Sequence, residues 1–394
     1  MMRVRAVYRY GLLCALFVSA VLSCRAGGAA AVAQSETQPR QPVFSAELPP
    51  VPNKRYRIAV VFSGEYWEFF ENFKAVLYGL SSIGLANPVS VPDTIDTGRE
   101  LCAYIASCGY SSSVDFCEDL FFDLEWGKQP LAGPVPADLI LAYGGIAGTV
   151  CCVQADEYGI PVLIDAVTDY AILGLTKTAQ DSGRDMVSCN IDENRFKRQI
   201  ALFHALCGFE SLGIVYGDDV YGLTYNAVRD IEEMSELLGF RIVRDTAVKE
   251  YTDGDTAALY LEAIARVAPQ ADAVYIGAST AVTEYDIMRD IAAVLMRHGT
   301  PSFALEGSRR VEEGILFSFG SSAFLRSGVH MARKIALVLS GERPRDLAQE
   351  FENIPTFALN LETAQAIDFP IPFETLLGAD ELFPRTAGKY EAEL

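Results

Sequence analysis

Apolar residues in this chain fall in short unbroken runs that alternate with stretches of helical spacing. Tyr56 to Phe62 is continuous and apolar, as a strand covered on both faces should be, and Asp138 to Ala142 and Val162 to Ile164 read the same way. Between them, Trp67 to Ile83 places Phe70, Phe73, Val76, Leu77 and Leu80 on one helical side. Gly98 to Ser107 reads as a helix and Val114 to Leu124 as a strand, inside a segment, residues 86–130, with little periodicity. A second set follows. Leu212 to Tyr216, Arg241 to Val248, Asp272 to Ile276 and Ser302 to Leu305 read as strands. Tyr225 to Leu238, Thr256 to Val267 and Glu284 to Arg297 read as helices.

The two sets echo each other. Pro136-Ala137-Asp138 precedes one strand and Gln270-Ala271-Asp272 another, an offset of 272 − 138 = 134 residues. Gly159-Ile160-Pro161 answers Gly299-Thr300-Pro301, offset by 301 − 161 = 140. The pattern predicts an α/β protein of two Rossmann-like lobes, each a parallel sheet flanked by helices, with a ligand cleft between them.

The turns after the strands carry the candidate chemistry. Leu139 to Tyr143 ends in Gly144-Gly145-Ile146-Ala147-Gly148-Thr149 and a helix. At such a strand-to-helix turn, glycines allow close backbone approach and the helix N-terminus favours an anion. The set expected to line the cleft is Ser63, Glu65 and Tyr66; Gly144, Gly145 and Thr149; Thr168 and Asp169; and, from the second half, Tyr221, Ser279, Thr280 and Glu306. Trp67, Tyr143 and Tyr170 stand beside them. Hydroxyls, a few carboxylates and aromatic walls suit a small polar or zwitterionic solute. The helix N-terminus would take its carboxylate and Asp169 or Glu306 its ammonium. Taken singly, each Ser, Thr or Asp is also an ordinary turn or cap residue.

Composition narrows the classes. Lys and Arg total 32 against 52 Asp and Glu, a formal charge of −20, which argues against nucleic acid. The glycine turn is not Gly-x-Gly-x-x-Gly, no Gly-Lys-Ser/Thr follows a strand, and no Gly-x-Ser-x-Gly elbow occurs. His204 and His330 fall in helical patterns and His298 near a helix end, so a binding protein is expected rather than an enzyme, with no cofactor and no metal.

The first residues read as an export signal: Arg3, Arg5 and Arg9, then an apolar Gly11 to Leu22. Val21-Leu22-Ser23-Cys24 resembles a bacterial lipobox, with Cys24 lipidated; the alternative is an ordinary signal peptide cut within Ala26 to Ala33. Cleavage before Cys24 removes three arginines and no acids, giving −20 − 3 = −23. Arg25 to Pro52, rich in Ala, Gly, Gln and Pro, reads as a flexible tether. Seven cysteines follow it. Cys102, Cys108 and Cys117 lie close enough in sequence for a bridge among them, whereas Cys151, Cys152 and Cys207 read as buried small apolar residues.

Near the end, Lys334-Ile335 through Ser340-Gly341-Glu342-Arg343-Pro344-Arg345-Asp346-Leu347 is followed by Phe357-Ala358-Leu359-Asn360-Leu361-Glu362-Thr363-Ala364. Ile371-Pro372, Leu376-Leu377 and Ala379-Asp380 complete the pattern. This resembles the ending of the ABC-transporter substrate-binding proteins, in the group that includes the tryptophan/tyrosine uptake branch. The likeness runs from about Tyr56 to Leu382, and Thr168-Asp169 matches that family's Ser/Thr-Asp pair. The chain departs from it at Gly145-Ile146, where Thr-Pro is common, and at Ala278-Ser279-Thr280, where Thr-Asp-Asn is common. The resemblance implies a type I periplasmic-binding-protein fold, hinged closure on a solute, and an exported lipoprotein that delivers the solute to an ABC permease as a monomer. With the signal peptide taken as 1–23 and the tether as 24–53, it implies a first lobe of 54–177 plus 318–348, and a second of 178–317 plus 349–384. Crossings are expected near Thr176 to Val187, Leu316 to Gly320 and Glu350 to Leu359. The runner-up is a binding protein of the same fold that signals to a membrane kinase or chemoreceptor; an exported α/β enzyme is the alternative of another class.

Overall fold

The computed structural model describes residues 48 to 386, apart from 49, 52, 53, 111, 112, 247, 249–254, 284, 285, 321, 322 and 353–355. The signal peptide, Cys24 and most of the tether lie outside the described residues.

The first lobe begins with β1 (Tyr56–Phe62), α1 (Trp67–Ser82), α2 (Gly98–Ser107), β2 (Val114–Asp115) and β3 (Phe121–Asp123). It continues through β4 (Leu139–Tyr143), α3 (Gly145–Tyr158), β5 (Val162–Asp165) and β6 (Val187–Cys189). Its sheet runs β2–β1–β4–β5–β6, all parallel, with β3 also pairing β1. The unbroken apolar runs are explained by burial on both faces. Ile58, Val60 and Phe62 of β1 enter one core with Leu139, Leu141 and Tyr143 of β4. The alternating Ala59, Val61, Ile140 and Ala142 enter the core on the other face.

The second lobe follows as α4 (Arg195–Cys207), β7 (Ser211–Val215), α5 (Val220–Tyr225), α6 (Val228–Leu238), β8 (Arg241–Asp245), α7 (Thr256–Val267) and β9 (Ala273–Ile276). Then come α8 (Thr280–Thr283), α9 (Met288–His298), β10 (Ser302–Ala304), α10 (Ser308–Glu312) and β11 (Phe317–Gly320). α11 (Ala323–Leu339) returns to pack along α1, and β12 (Thr356–Asn360), α12 (Leu361–Ala366), α13 (Phe373–Gly378) and β13 (Glu381–Phe383) end the described chain. The second sheet runs β13–β12–β11–β10–β9–β7–β8, with only β11–β12 antiparallel.

The sequence echo has a structural counterpart. β2–β1–β4–β5–β6 and β8–β7–β9–β10–β11 place corresponding strands in the same order. The aspartate before the third strand does the same work in each lobe: Asp138 accepts from the Arg57 N–H at 2.9 Å, and Asp272 from the Glu210 N–H at 3.1 Å. Each carboxylate fastens its strand to the start of the neighbouring one.

Several elements differ from the sequence reading. Val114 to Leu124 is two short strands around a tight turn, because Cys117 to Leu120 curls back on itself through the Leu120 N–H to Cys117 carbonyl bond. The helix expected from Tyr225 to Leu238 is α5 and α6, broken where Ala227 takes φ 50° and Asn226 turns its amide to the Gly222 carbonyl. In place of Glu284 to Arg297 stand the short α8 and α9, the latter beginning at Met288. β6 hydrogen-bonds along β5 and so continues the first sheet beyond residue 177. β11 belongs wholly to the second sheet, so residues 318–320 lie there rather than in the first lobe. The first crossing therefore follows Cys189. There Ile191 donates its N–H to the Gln349 carbonyl and accepts from the Phe351 N–H, both at 2.8 Å, so two crossing segments are laced together. Cys102, Cys108 and Cys117 are free thiols, as are the other described cysteines, and Cys207 is only half-buried.

α1 carries part of the candidate site, and its seat on α11 is tight. A Cβ on Gly79 would stand 2.6 Å from the Gly328 carbonyl oxygen, and one on Gly328 would stand 2.2 Å from the Ala75 carbonyl carbon. Backbone against backbone leaves no flexible atom to yield. Gly328→Val is therefore expected to lower unfolding free energy by about 3 kcal/mol, read by urea denaturation, at the upper end of overpacking costs; a loss under about 0.5 kcal/mol would mean the helices can part freely.

Candidate functional site

β4 meets the cleft through Gly144. Its φ of 87° is left-handed, and a Cβ there would lie 2.5 Å from the Phe69 ring and 2.6 Å from the Ser63 hydroxyl. Only glycine fits, so the turn comes within reach of α1 while α3 starts directly behind it. The sheet order reverses between β1 and β4, which places this turn at a topological switch point.

A pocket of about 40 Å³ opens there between the lobes. Tyr66, Phe69, Trp126, Gly144 and Thr168 line it from the first lobe, and Arg195, Tyr225, Ala278 and Thr280 from the second. Trp126 arrives by strained backbone: it and Glu125 have φ of 57° and 44°. Its ring covers Gly64, where a Cβ would be 2.3 Å from the indole.

The lobes are joined across this pocket by an ionic chain, buried except at its half-buried Arg195 end. Arg195 donates to Glu68 Oε1 at 3.3 Å, and the Tyr66 hydroxyl meets Glu68 Oε2 at 3.3 Å and also Glu306 Oε1. Glu306 Oε2 accepts from Arg310 Nε at 2.7 Å, and Arg310 Nη1 reaches Glu313 at 2.8 Å. Trp67 Nε1 adds a 3.4 Å bond to Glu306. Burial pushes the Tyr66 hydroxyl well above its usual range, reinforced by the Glu306 and Glu68 charges. Burial also raises Glu68, against the pull of Arg195. For Arg310, burial works to lower the value, yet Glu306 and Glu313 outweigh it and hold the group charged. Farther along the cleft Asp169, on the first lobe, pairs with Arg229 of α6 at 3.0 Å.

The predicted residues separate into two groups. Tyr66, Gly144, Thr168 and Thr280 line the pocket; Glu306 and Asp169 make the cross-lobe contacts; and Tyr221, stacked 5.9 Å from Tyr225, packs on the first-lobe core. The others face elsewhere. Ser63 is fully buried, donating to the Tyr143 carbonyl and accepting from the Ala147 N–H, both at 3.0 Å. Glu65 accepts from the Gly98 N–H at the start of α2. Gly145 packs under Leu173, Thr149 is exposed and bonds back to the Gly145 carbonyl, and Ser279 is fully buried at the start of α8. Asp169 and Glu306, assigned to a solute ammonium from sequence, are held instead by protein cations; Asp169 also accepts the Ala171 and Ile172 N–H groups. Glu68, Arg195 and Trp126 were missed. The spacing of α1 does place Glu68 beside the first buried turn, but no periodicity marks Trp126.

Among the described residues no group of His, Cys, Asp and Glu is arranged to hold a metal, and no helix is long and apolar enough to cross a membrane.

Residues 136–382 match the family model for ABC transporter substrate binding proteins. Three similar solved structures share this fold. A conserved domain protein from Vibrio cholerae is 18% identical, covers 84% of this chain and 100% of its own, and has a TM-score of 0.62. The ABC domain in complex with L-Trp from Streptococcus pneumonia is 19% identical over the same shares, also at 0.62. A ligand-free, open substrate binding protein with adhesive properties from Clostridium difficile is 17% identical, again over 84% and 100%, at 0.55. No curated protein matches.

Replacing Glu306 by Ala would leave Arg310 buried with one carboxylate fewer and open the bond from Tyr66 to the second lobe. A loss of about 3 kcal/mol in chemical denaturation is expected, with Glu306→Gln milder because it keeps the acceptor for Tyr66. Wild-type stability in Glu306→Ala would show that the chain is not a structural tie.

Proposed function

The chain belongs to the family of ABC transporter substrate binding proteins, and from that premise we propose that it captures a small zwitterionic solute, of the class that includes aromatic amino acids, by closing its lobes. One observation carries this reading: a pocket walled by Tyr66, Phe69, Trp126 and Tyr225 and edged by the Arg195–Glu68 pair, with both lobes contributing. Aromatic walls favour a flat apolar side chain, and charges of both signs at the pocket's edge suit a zwitterion better than a neutral polyol. The L-Trp complex of the Streptococcus structure agrees with that class. The solute is bound without turnover and passed to an ABC permease by the closed form.

The same proposal takes the first residues as an export signal and Cys24 as the lipid attachment point, so that the monomeric body works outside the cytoplasm on a tether. Cys24→Ser is expected to release the protein from the membrane fraction.

A thermal-shift screen of the purified body against L-tryptophan, L-tyrosine and neutral sugars tests the solute class. An amino acid is expected to raise the midpoint by mass action while the sugars leave it in place; a rise with a sugar and none with any amino acid would overturn it. Closure is tested separately by calorimetry on Asp169→Ala and Arg229→Ala. Each is expected to weaken binding of the active solute about three- to tenfold, and the double variant no further, because they remove the same contact of the closed form. Unchanged affinity would remove this pair from closure.

A further inference from the structure

Beside the inter-lobe pocket, toward the crossings, lies a second chamber of about 90 Å³. Its walls come from α1, the end of β5 and the turn after it, the crossing after β6, the start of α4, the Glu306–Gly307 turn, β11, α11 and Phe351. Four carboxylates line it: Glu68, Asp165, Asp192 and Glu306. Three of them have a guanidinium partner: Glu68 has Arg195 at 3.3 Å, Asp192 has Arg198 at 2.7 Å, and Glu306 has Arg310 at 2.7 Å. Asp165 has no ion-pair partner among the described residues. It is 6% exposed, and Oδ1 accepts from the Ala166 N–H at 2.8 Å and from Asn190 Nδ2 at 3.1 Å, while the buried Oδ2 meets no donor. Asn190, 7% exposed, gives its amide N–H groups to Asp165 and to Ser327 Oγ at 2.9 Å, so its own Oδ1 is also left without a donor. The bond to the carboxylate fixes which end of that amide is which. Lys334, the cation behind them, is committed to the Cys189 carbonyl at 2.7 Å.

Two hydrogen-bonded acceptor residues, one of them a carboxylate, therefore share one chamber and a demand for donors. We infer that Asp165 and Asn190 form the subsite for a protonated amine of the solute. An ammonium brings several N–H donors and a positive charge for the one lining carboxylate that no guanidinium pairs. A water or hydroxyl brings donors without the charge. Phe196, Phe319, Phe324 and Phe351 also line the chamber, and ring faces attract a cation. Burial raises the Asp165 carboxyl, against the opposing pull of its Ala166 and Asn190 hydrogen bonds and of the Lys334 and Arg195 charges; a bound ammonium supplies a positive charge in direct contact. This subsite rests on the solute-binding reading above and moves the amine contact from Asp169 and Glu306, which the protein itself occupies, to Asp165.

Calorimetry on the full chain decides it, with L-tryptophan, tryptamine, putrescine and indole-3-propionate as probes. Wild type is expected to bind at least one of the amines and to bind indole-3-propionate at least about tenfold more weakly than L-tryptophan or tryptamine. Asp165→Asn, which keeps the shape, is expected to weaken the amine about ten- to a hundredfold and to leave indole-3-propionate unaffected. Equal affinity of an amine for wild type and Asp165→Asn, indole-3-propionate binding as tightly as L-tryptophan, or no amine bound at all would each overturn the subsite. If Asp165→Asn does not fold, Asn190→Ala and the wild-type comparison of L-tryptophan with indole-3-propionate separate the same outcomes. The two readings fail differently. Tryptamine or putrescine binding without L-tryptophan sinks the amino-acid class and keeps the subsite. L-tryptophan binding equally to wild type and variant keeps the class and sinks the subsite.

Discussion

A carboxylate from each lobe meets at one tyrosine hydroxyl, and the rest of the cleft is arranged around that meeting. Glu68 and Glu306 would repel one another if left alone in a buried space. Tyr66 stands between them, while Arg195 and Arg310 balance them from outside. Glu68 meets its cation only when both lobes are present, because Arg195 comes from the second lobe; Glu306 keeps Arg310 of its own lobe and gains a first-lobe tyrosine and tryptophan. Buried ion pairs contribute little net stability over well-packed apolar groups, but they tolerate no misalignment. The ionic chain thus specifies one placement of the lobes more than it deepens the fold.

That geometry depends on helix placement. α1 presents Tyr66 and Glu68 at its first turn, where a carboxylate also complements the helix dipole, and its far end is fixed by the glycine contact with α11. α11 in turn reaches the crossings, where Lys334 ties into β6 and Ser327 supports Asn190. One helix pair therefore connects the inter-lobe pocket, the second chamber and the crossings.

Much of the fold was legible because burial on both faces writes itself as unbroken apolar runs, and because two copies of one topology leave matching punctuation at Asp138 and Asp272. The site was only half legible. Turn residues at strand ends can be read from order alone, which brought Tyr66, Gly144, Thr168 and Thr280 into view. Ser63 and Ser279 sit at equivalent turns yet are wholly buried, and sequence does not distinguish a hydroxyl facing the cleft from one facing the sheet. Asp165, one residue past the predicted Val162 to Ile164 strand, goes unmarked for the same reason. The charges of Glu68, Arg195 and Arg310 lie on helices, where such residues usually face water, yet Glu68 and Arg310 are buried. Trp126 lies in residues 86–130, whose short strands and left-handed turn have no periodicity to follow, and the α5–α6 break turns on one asparagine and one left-handed alanine.

The placement of the indoles has an optical consequence. The chain contains two tryptophans, Trp67 and Trp126. Trp126 lines the inter-lobe pocket and Trp67 reaches across to Glu306. Any parting of the lobes rehydrates both, and nothing else in the molecule contributes indole emission. The protein's ultraviolet fluorescence is thus a built-in gauge of its cleft, with no indole background from the rest of the body.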